Sequence, residues 1–201
     1  MRAFRSLCAA AALLASLGAA SANATVLHSF TGPSSPIPTD GITLLATFNG
    51  DAGAAEATFT LDGYDSLDGQ NFFEDDFTLT LNGDLILKGT YNLGGGGADV
   101  TYLKPLGATV TNLMLGGPGG KVLITTPLNL VAGVNHLAFF YSALPAPDHA
   151  GFQGSGDETW GVENLTITQA GGVPEPATWG LMILGMAAAG AALRRRRFAT
   201  A

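Results

Sequence analysis

Asp76-Phe77-Thr78-Leu79-Thr80-Leu81-Asn82-Gly83-Asp84-Leu85-Ile86-Leu87-Lys88-Gly89-Thr90-Tyr91 is the stretch whose reading decides the fold. Phe77, Leu79 and Leu81 alternate with threonines, so an extended chain places all three apolar side chains on one face. Asn82-Gly83 accepts the positive φ that a two-residue hairpin turn demands, and a second apolar run follows at once. The stretch predicts strand, tight turn and antiparallel strand.

The same signals recur outward from it. Short apolar or alternating segments between turn residues predict eight strands, at 43–48, 57–62, 76–81, 85–91, 110–115, 121–126, 135–141 and 162–168. The alternation is looser in the last of these. No helical period and no internal repeat occurs between 25 and 172. Strands of this length and spacing predict an all-β domain, an antiparallel jelly-roll-like sandwich. Residues 31–40, rich in Pro and Ser, read as a linker or N-terminal loop. The four glycines at 94–97 lack the Lys-Ser/Thr and helix of a phosphate loop and read as a flexible loop. Gly116-Gly117-Pro118-Gly119-Gly120 reads as a mobile turn.

Charge is segregated along the chain. Arg2 and Arg5 stand at one end and Arg194, Arg195, Arg196 and Arg197 at the other; between 25 and 172 only Lys88, Lys104 and Lys121 face fifteen acidic residues. A domain this acidic repels nucleic acid and anionic lipid, which excludes nucleic acid as a partner; it attracts divalent cations or simply stays soluble. The single cysteine, Cys8, lies in the apolar N-terminal run. The domain itself is therefore free of disulfides, zinc–thiolate sites and cysteine nucleophiles.

Both ends read as addresses. A positive start, an apolar run of Ala and Leu over 7–20, and Ala22-Asn23-Ala24 form a signal-peptide pattern, with signal peptidase cutting between Ala24 and Thr25. This divides the chain into a signal peptide (1–24), a secreted domain (25–172) and a tail (173–201). In the tail, Val173-Pro174-Glu175-Pro176-Ala177-Thr178-Trp179 leads into an apolar segment at about 180–193 and then the four arginines. The segment predicts a transmembrane helix, slightly short for a bilayer, with Trp179 at the outer interface and the arginines on the cytoplasmic side.

Pro174, Glu175, Pro176, Trp179, the apolar helix and Arg194, Arg195, Arg196 and Arg197 resemble, in order and spacing, the PEP-CTERM sorting domain in its Pro-Glu-Pro-x-x-Trp variant. The resemblance implies an exosortase as processing partner, a stay in the inner membrane through the tail, and a final place at the cell surface or outside it. Members of that family are typically tied to extracellular polysaccharide and biofilm. The two prolines are expected to hold the motif extended for a protease cleft.

A second resemblance lies inside the domain. Tyr64-Asp65-Ser66-Leu67-Asp68-Gly69, Asp76-Phe77-Thr78 through Asn82-Gly83, and Asp157-Glu158-Thr159-Trp160-Gly161-Val162-Glu163-Asn164 resemble a pattern of secreted bacterial β-sandwich domains, with Leu67 where Trp is usual and Glu163 where Asp is usual. It implies a lectin-like architecture and a structural Ca²⁺. Oxygen ligands from glycine-bearing acidic loops suit that ion, and Asp65, Asp68, Asp76, Asp157 and Glu158 are the candidates. The competing reading makes them solvated turn carboxylates and strand caps. Catalysis is not expected. His28, His136 and His149 sit in no hydrolase or metalloprotease motif, and neighbouring Asp157 and Glu158 should point to opposite faces of a strand. The functional expectation is a non-catalytic exported protein binding polysaccharide or contributing to a biofilm matrix. The alternatives are a structural or adhesive protein without a defined ligand and, third, a glycan-processing enzyme.

Overall fold

A computed structural model describes residues 24–114, 119–171 and 176–198. The stretch Ala24–Gln169 is one compact unit, and the C-terminal helix belongs to another.

Eleven strands build two antiparallel sheets: β1 (Thr25–Phe30), β2 (Ile37–Pro38), β3 (Asp40–Gly50), β4 (Gly53–Gly63), β5 (Asp75–Leu81), β6 (Asp84–Thr90), β7 (Val100–Leu103), β8 (Thr109–Met114), β9 (Lys121–Leu130), β10 (Gly133–Ala143) and β11 (Thr159–Gln169). One sheet runs β1-β11-β4-β9-β8, with β2 also paired to β11; the other runs β3-β10-β5-β6-β7. The chain crosses between sheets at β2–β3, β3–β4, β4–β5, β7–β8, β9–β10 and β10–β11, the connectivity expected of a jelly-roll-like sandwich.

The deciding hairpin forms as its residues require. β5 and β6 pair through Leu79↔Leu87 and Leu81↔Asp84, and Asn82 and Gly83 take φ of 54° and 92°. Phe77 and Leu79 are fully enclosed. Each such side chain contributes roughly 1.5–3 kcal/mol relative to staying exposed. Between the sheets Phe59 meets Phe139 edge-on at 4.9 Å, and a tilted series runs Phe59–Phe77–Tyr141–Trp160. Both geometries are preferred by aromatic quadrupoles.

All eight expected strands are present. Sequence reading missed β1, β2 and β7, which are short and lie at sheet margins, where neither face is fully buried and no alternation is imposed. The loose pattern of β11 has a physical cause. Asn164 adopts φ 53° and the register with β4 slips between Glu163 and Thr166. The bulge switches the inward face from Trp160 and Val162 to Leu165 and Ile167.

The tail forms one helix, α1 (Pro176–Phe198). Pro176 starts it rather than holding the motif extended, because a proline in the first turn has no N–H to lose and a φ already suited to the helix. Trp179 is likewise helical. A second correction concerns membrane crossing: among the described residues no helix is long and apolar enough to span a bilayer. The apolar part, 180–193, extends about 21 Å at about 1.5 Å per residue, short of a hydrocarbon core of about 30 Å. The predicted signal peptide up to residue 23, including Ala22, lies outside the described residues, as do Pro174 and Glu175.

Candidate functional site: the acidic loop end

Three loops gather at one end of the sandwich: 64–74 (β4–β5), 91–99 (β6–β7) and 144–158 (β10–β11). Backbone hydrogen bonds hold them together. Ser66 N–H donates to Asp157 O (2.8 Å), Leu93 N–H to Leu67 O (3.0 Å), Gly69 N–H to Gly96 O (2.8 Å) and Ala150 N–H to Phe72 O (2.9 Å). Leu67 is buried in the core.

The four-glycine segment is a fitted clasp, contrary to its reading as a flexible loop. Gly94 and Gly96 N–H both donate to Asn92 Oδ1. A Cβ on Gly95 would lie 2.2 Å from Asp68 Oδ2, so any larger residue would have to push that carboxylate aside. Asp68 is 5% exposed, and its Oδ1 accepts from Asn71 Nδ2 at 2.8 Å.

Asp75 lies deeper. It shares the inward face of β5 with Phe77 and Leu79 and is 0% exposed. Its Oδ2 accepts from Asp68 N–H at 3.0 Å, while Oδ1 has no partner. Burial pushes its carboxyl up to about 8; the Asp68 N–H opposes this, and among neighbouring charges that of Glu158 acts most strongly, followed by Asp68 and Asp157. Glu158, the last residue of the loop before β11, is also 0% exposed. Its Oε2 accepts from Thr39 Oγ1 at 2.7 Å and its Oε1 is unpartnered. Burial raises Glu158 and Asp68 as well, with Asp157 adding to both.

Of the residues named from sequence, Asp68, Asp157 and Glu158 lie at this end, close enough for their charges to act on one another. Asp65 and Asp76 serve elsewhere. Asp65 Oδ2 accepts from Thr159 Oγ1 at 2.8 Å, and Asp76 Oδ2 pairs with Lys88 Nζ at 2.7 Å. Glu163 pairs with Lys121 Nζ (2.8 Å), which also holds buried Asp62. Asp75 was missed. Strand parity was the signal that could have found it, since Asp75 is in phase with Phe77 and Asp76 with Thr78. Among the described residues no three acidic, imidazole or thiol groups stand close enough together to hold a metal ion.

Around the acidic end the rings of Phe72, Phe73 and Phe152 are 56%, 43% and 43% exposed. Phe72 and Phe73 are edge-to-face at 5.4 Å. Elsewhere, a groove of about 240 Å³ runs between β1 and β3, lined by His28, Phe30, Leu45 and Leu165 among others, and none of its lining belongs to the acidic end.

The tail has a defined class. Residues 172–197 match the family described as the PEP-CTERM protein-sorting motif. The chain thus carries the sorting signal of exported proteins handled by an exosortase. No curated protein matches the chain.

Proposed function

We propose that this is a non-catalytic exported protein that binds polysaccharide at the cell surface or in the extracellular matrix. The observation that carries the reading is the exposed aromatic group Phe72, Phe73 and Phe152 on loops fastened to each other at one end of a rigid sandwich. Exposed rings offer stacking faces to sugars, and a platform set by the scaffold keeps the ordering cost of binding low. The enclosure of Asp75 and Glu158 supports a non-catalytic role, since neither carboxylate reaches solvent where a glycosidic bond would sit. Signal peptidase would release Thr25 as the N-terminus, which suits its place as the first residue of β1. The tail would be held at the inner membrane before exosortase processing. Leu181, Met182, Ile183 and Leu184 are consecutive and exposed, so this stretch of α1, ahead of the arginines, is apolar on all sides. That suits lipid or the apolar interior of a membrane enzyme despite its short span.

Affinity electrophoresis in gels carrying bacterial exopolysaccharides tests the reading. Retarded migration in at least one polysaccharide, abolished by a combined Phe72→Ala and Phe73→Ala change, is the expected result. Unretarded migration in every polysaccharide would leave the second reading, a structural or adhesive protein. That reading rests on Leu103, Leu106, Leu113 and Met114, all exposed on or beside the margin strands β7 and β8. It predicts concentration-dependent association in sedimentation.

A further inference from the structure

β1 and β3 are the outer strands of their sheets and run beside each other along one flank of the sandwich. The seam between them is the groove of about 240 Å³. Two local features keep it open. The inward side chain of β3 here is Ala46, a single methyl, and β11 bulges between Glu163 and Thr166, where Val162 and Leu165 line the groove. The groove leads down to Phe139, Val162 and Leu165, all members of the core. Among the described residues that line it none is acidic, in a domain with fifteen acidic residues, and half-buried His28 is the one titratable group. Water in such a slot finds few hydrogen-bond partners, and an engineered apolar cavity of about 150 Å³ stays dry and takes up benzene.

We propose that this groove binds one medium-chain acyl group, its aliphatic tail over Phe139, Val162 and Leu165 and its carbonyl oxygen toward His28. Taking a methylene to be about the size of a water, about 30 Å³, the volume suits a tail of about eight carbons. His28 carries a ring N–H that can donate to a carbonyl oxygen. A lining without carboxylates spares a carbonyl or carboxylate head the repulsion it meets elsewhere on this acidic domain. A protein partner is the poorer fit, since a stable interface buries about 800 Å² on each side and the groove is the size of one small molecule. A free fatty acid and an esterified acyl chain share this chemistry. The site has no residue in common with the Phe72, Phe73 and Phe152 platform, so it adds to the polysaccharide reading and does not rest on it.

The core cluster runs from Ala46 to Ile167, so the exported domain, residues 25–172, closes its core without the tail and is tested free of detergent. Isothermal titration in about 0.15 M salt with butyrate, hexanoate, octanoate, decanoate and dodecanoate reads the groove. Expected are one site per chain, affinity that rises about fourfold per methylene up to octanoate, and no further gain beyond decanoate. Octanoate and methyl octanoate separate the two sources, the tighter of the pair marking free acid or esterified chain. Ala46→Leu, which fills the groove, should weaken octanoate at least tenfold without lowering the melting temperature. His28→Leu should weaken it about threefold to tenfold by removing the donor. Absence of saturable octanoate binding by the unmodified domain, in a sample that melts cooperatively, would overturn the proposal whether or not any variant folds. So would affinity that keeps climbing through dodecanoate, the mark of nonspecific adsorption, or octanoate binding untouched by Ala46→Leu. A dimer in sedimentation that persists in octanoate and is lost in Ala46→Leu would assign the groove to a second copy of the chain instead.

Discussion

Lys121 shows how much a single side chain can hold. Its ammonium lies 2.8 Å from both Asp62 Oδ1 and Glu163 Oε1, and Asp62 is 2% exposed. Removing one partner of a buried pair leaves an uncompensated charge, so Lys121→Met should destabilise the sandwich by about 2–4 kcal/mol in urea unfolding, discounted because Lys121 is itself partly exposed. Asp75 makes the opposite demand. Burial raises its carboxyl in the folded chain to about 8, well above the ordinary carboxylate range. The folded chain therefore holds a proton that the unfolded chain releases above about pH 4. The stability this contributes is complete at low pH and is lost as pH rises toward 8. The melting temperature should climb as pH falls from 8 to 5, and Asp75→Asn should flatten most of that slope. A slope unchanged in the variant would place the titrating group elsewhere.

At the scale of elements, turns and close approaches set the limits. Gly83 has open space where a Cβ would go but sits at φ 92°, so its constraint is conformational alone. Gly83→Ala should cost about 1–2 kcal/mol with the hairpin otherwise intact, as judged by denaturant midpoint. Gly69 is the converse case. A Cβ there would lie 2.6 Å from Ala98 O, and backbone cannot swing away as a side-chain tip can. Gly69→Ala should cost about 1–3 kcal/mol and loosen the 91–99 loop, seen as faster amide exchange at Gly96 and Ala98. The hairpin was readable because a period of two and Asn-Gly are local signals. The clasp was not, because four glycines say only that a side chain is unwelcome, and Asp68, the reason, lies some way back along the chain.

At the scale of the molecule, address and domain are separate problems. A chain ending before residue 172 should leave the cell envelope and accumulate in the medium, whereas the full chain is retained and processed; fractionation with immunoblotting reads both. A truncated chain that stays in the envelope would assign retention to the sandwich. The sequence by itself determined the eight principal strands, the sorting tail and the acidity of the domain, because alternation, turn chemistry and motif spacing are all written over a few neighbouring residues. Only the tertiary structure decided which carboxylates share a space. Asp75 lies in β5 and Glu158 in the loop before β11, and their burial at one end depends on strand parity and on how the two sheets face each other. It likewise removed Asp65 to Thr159, a partner far along the chain chosen by packing, and Asp76 to Lys88 across the β5–β6 hairpin, where the register sets the pair.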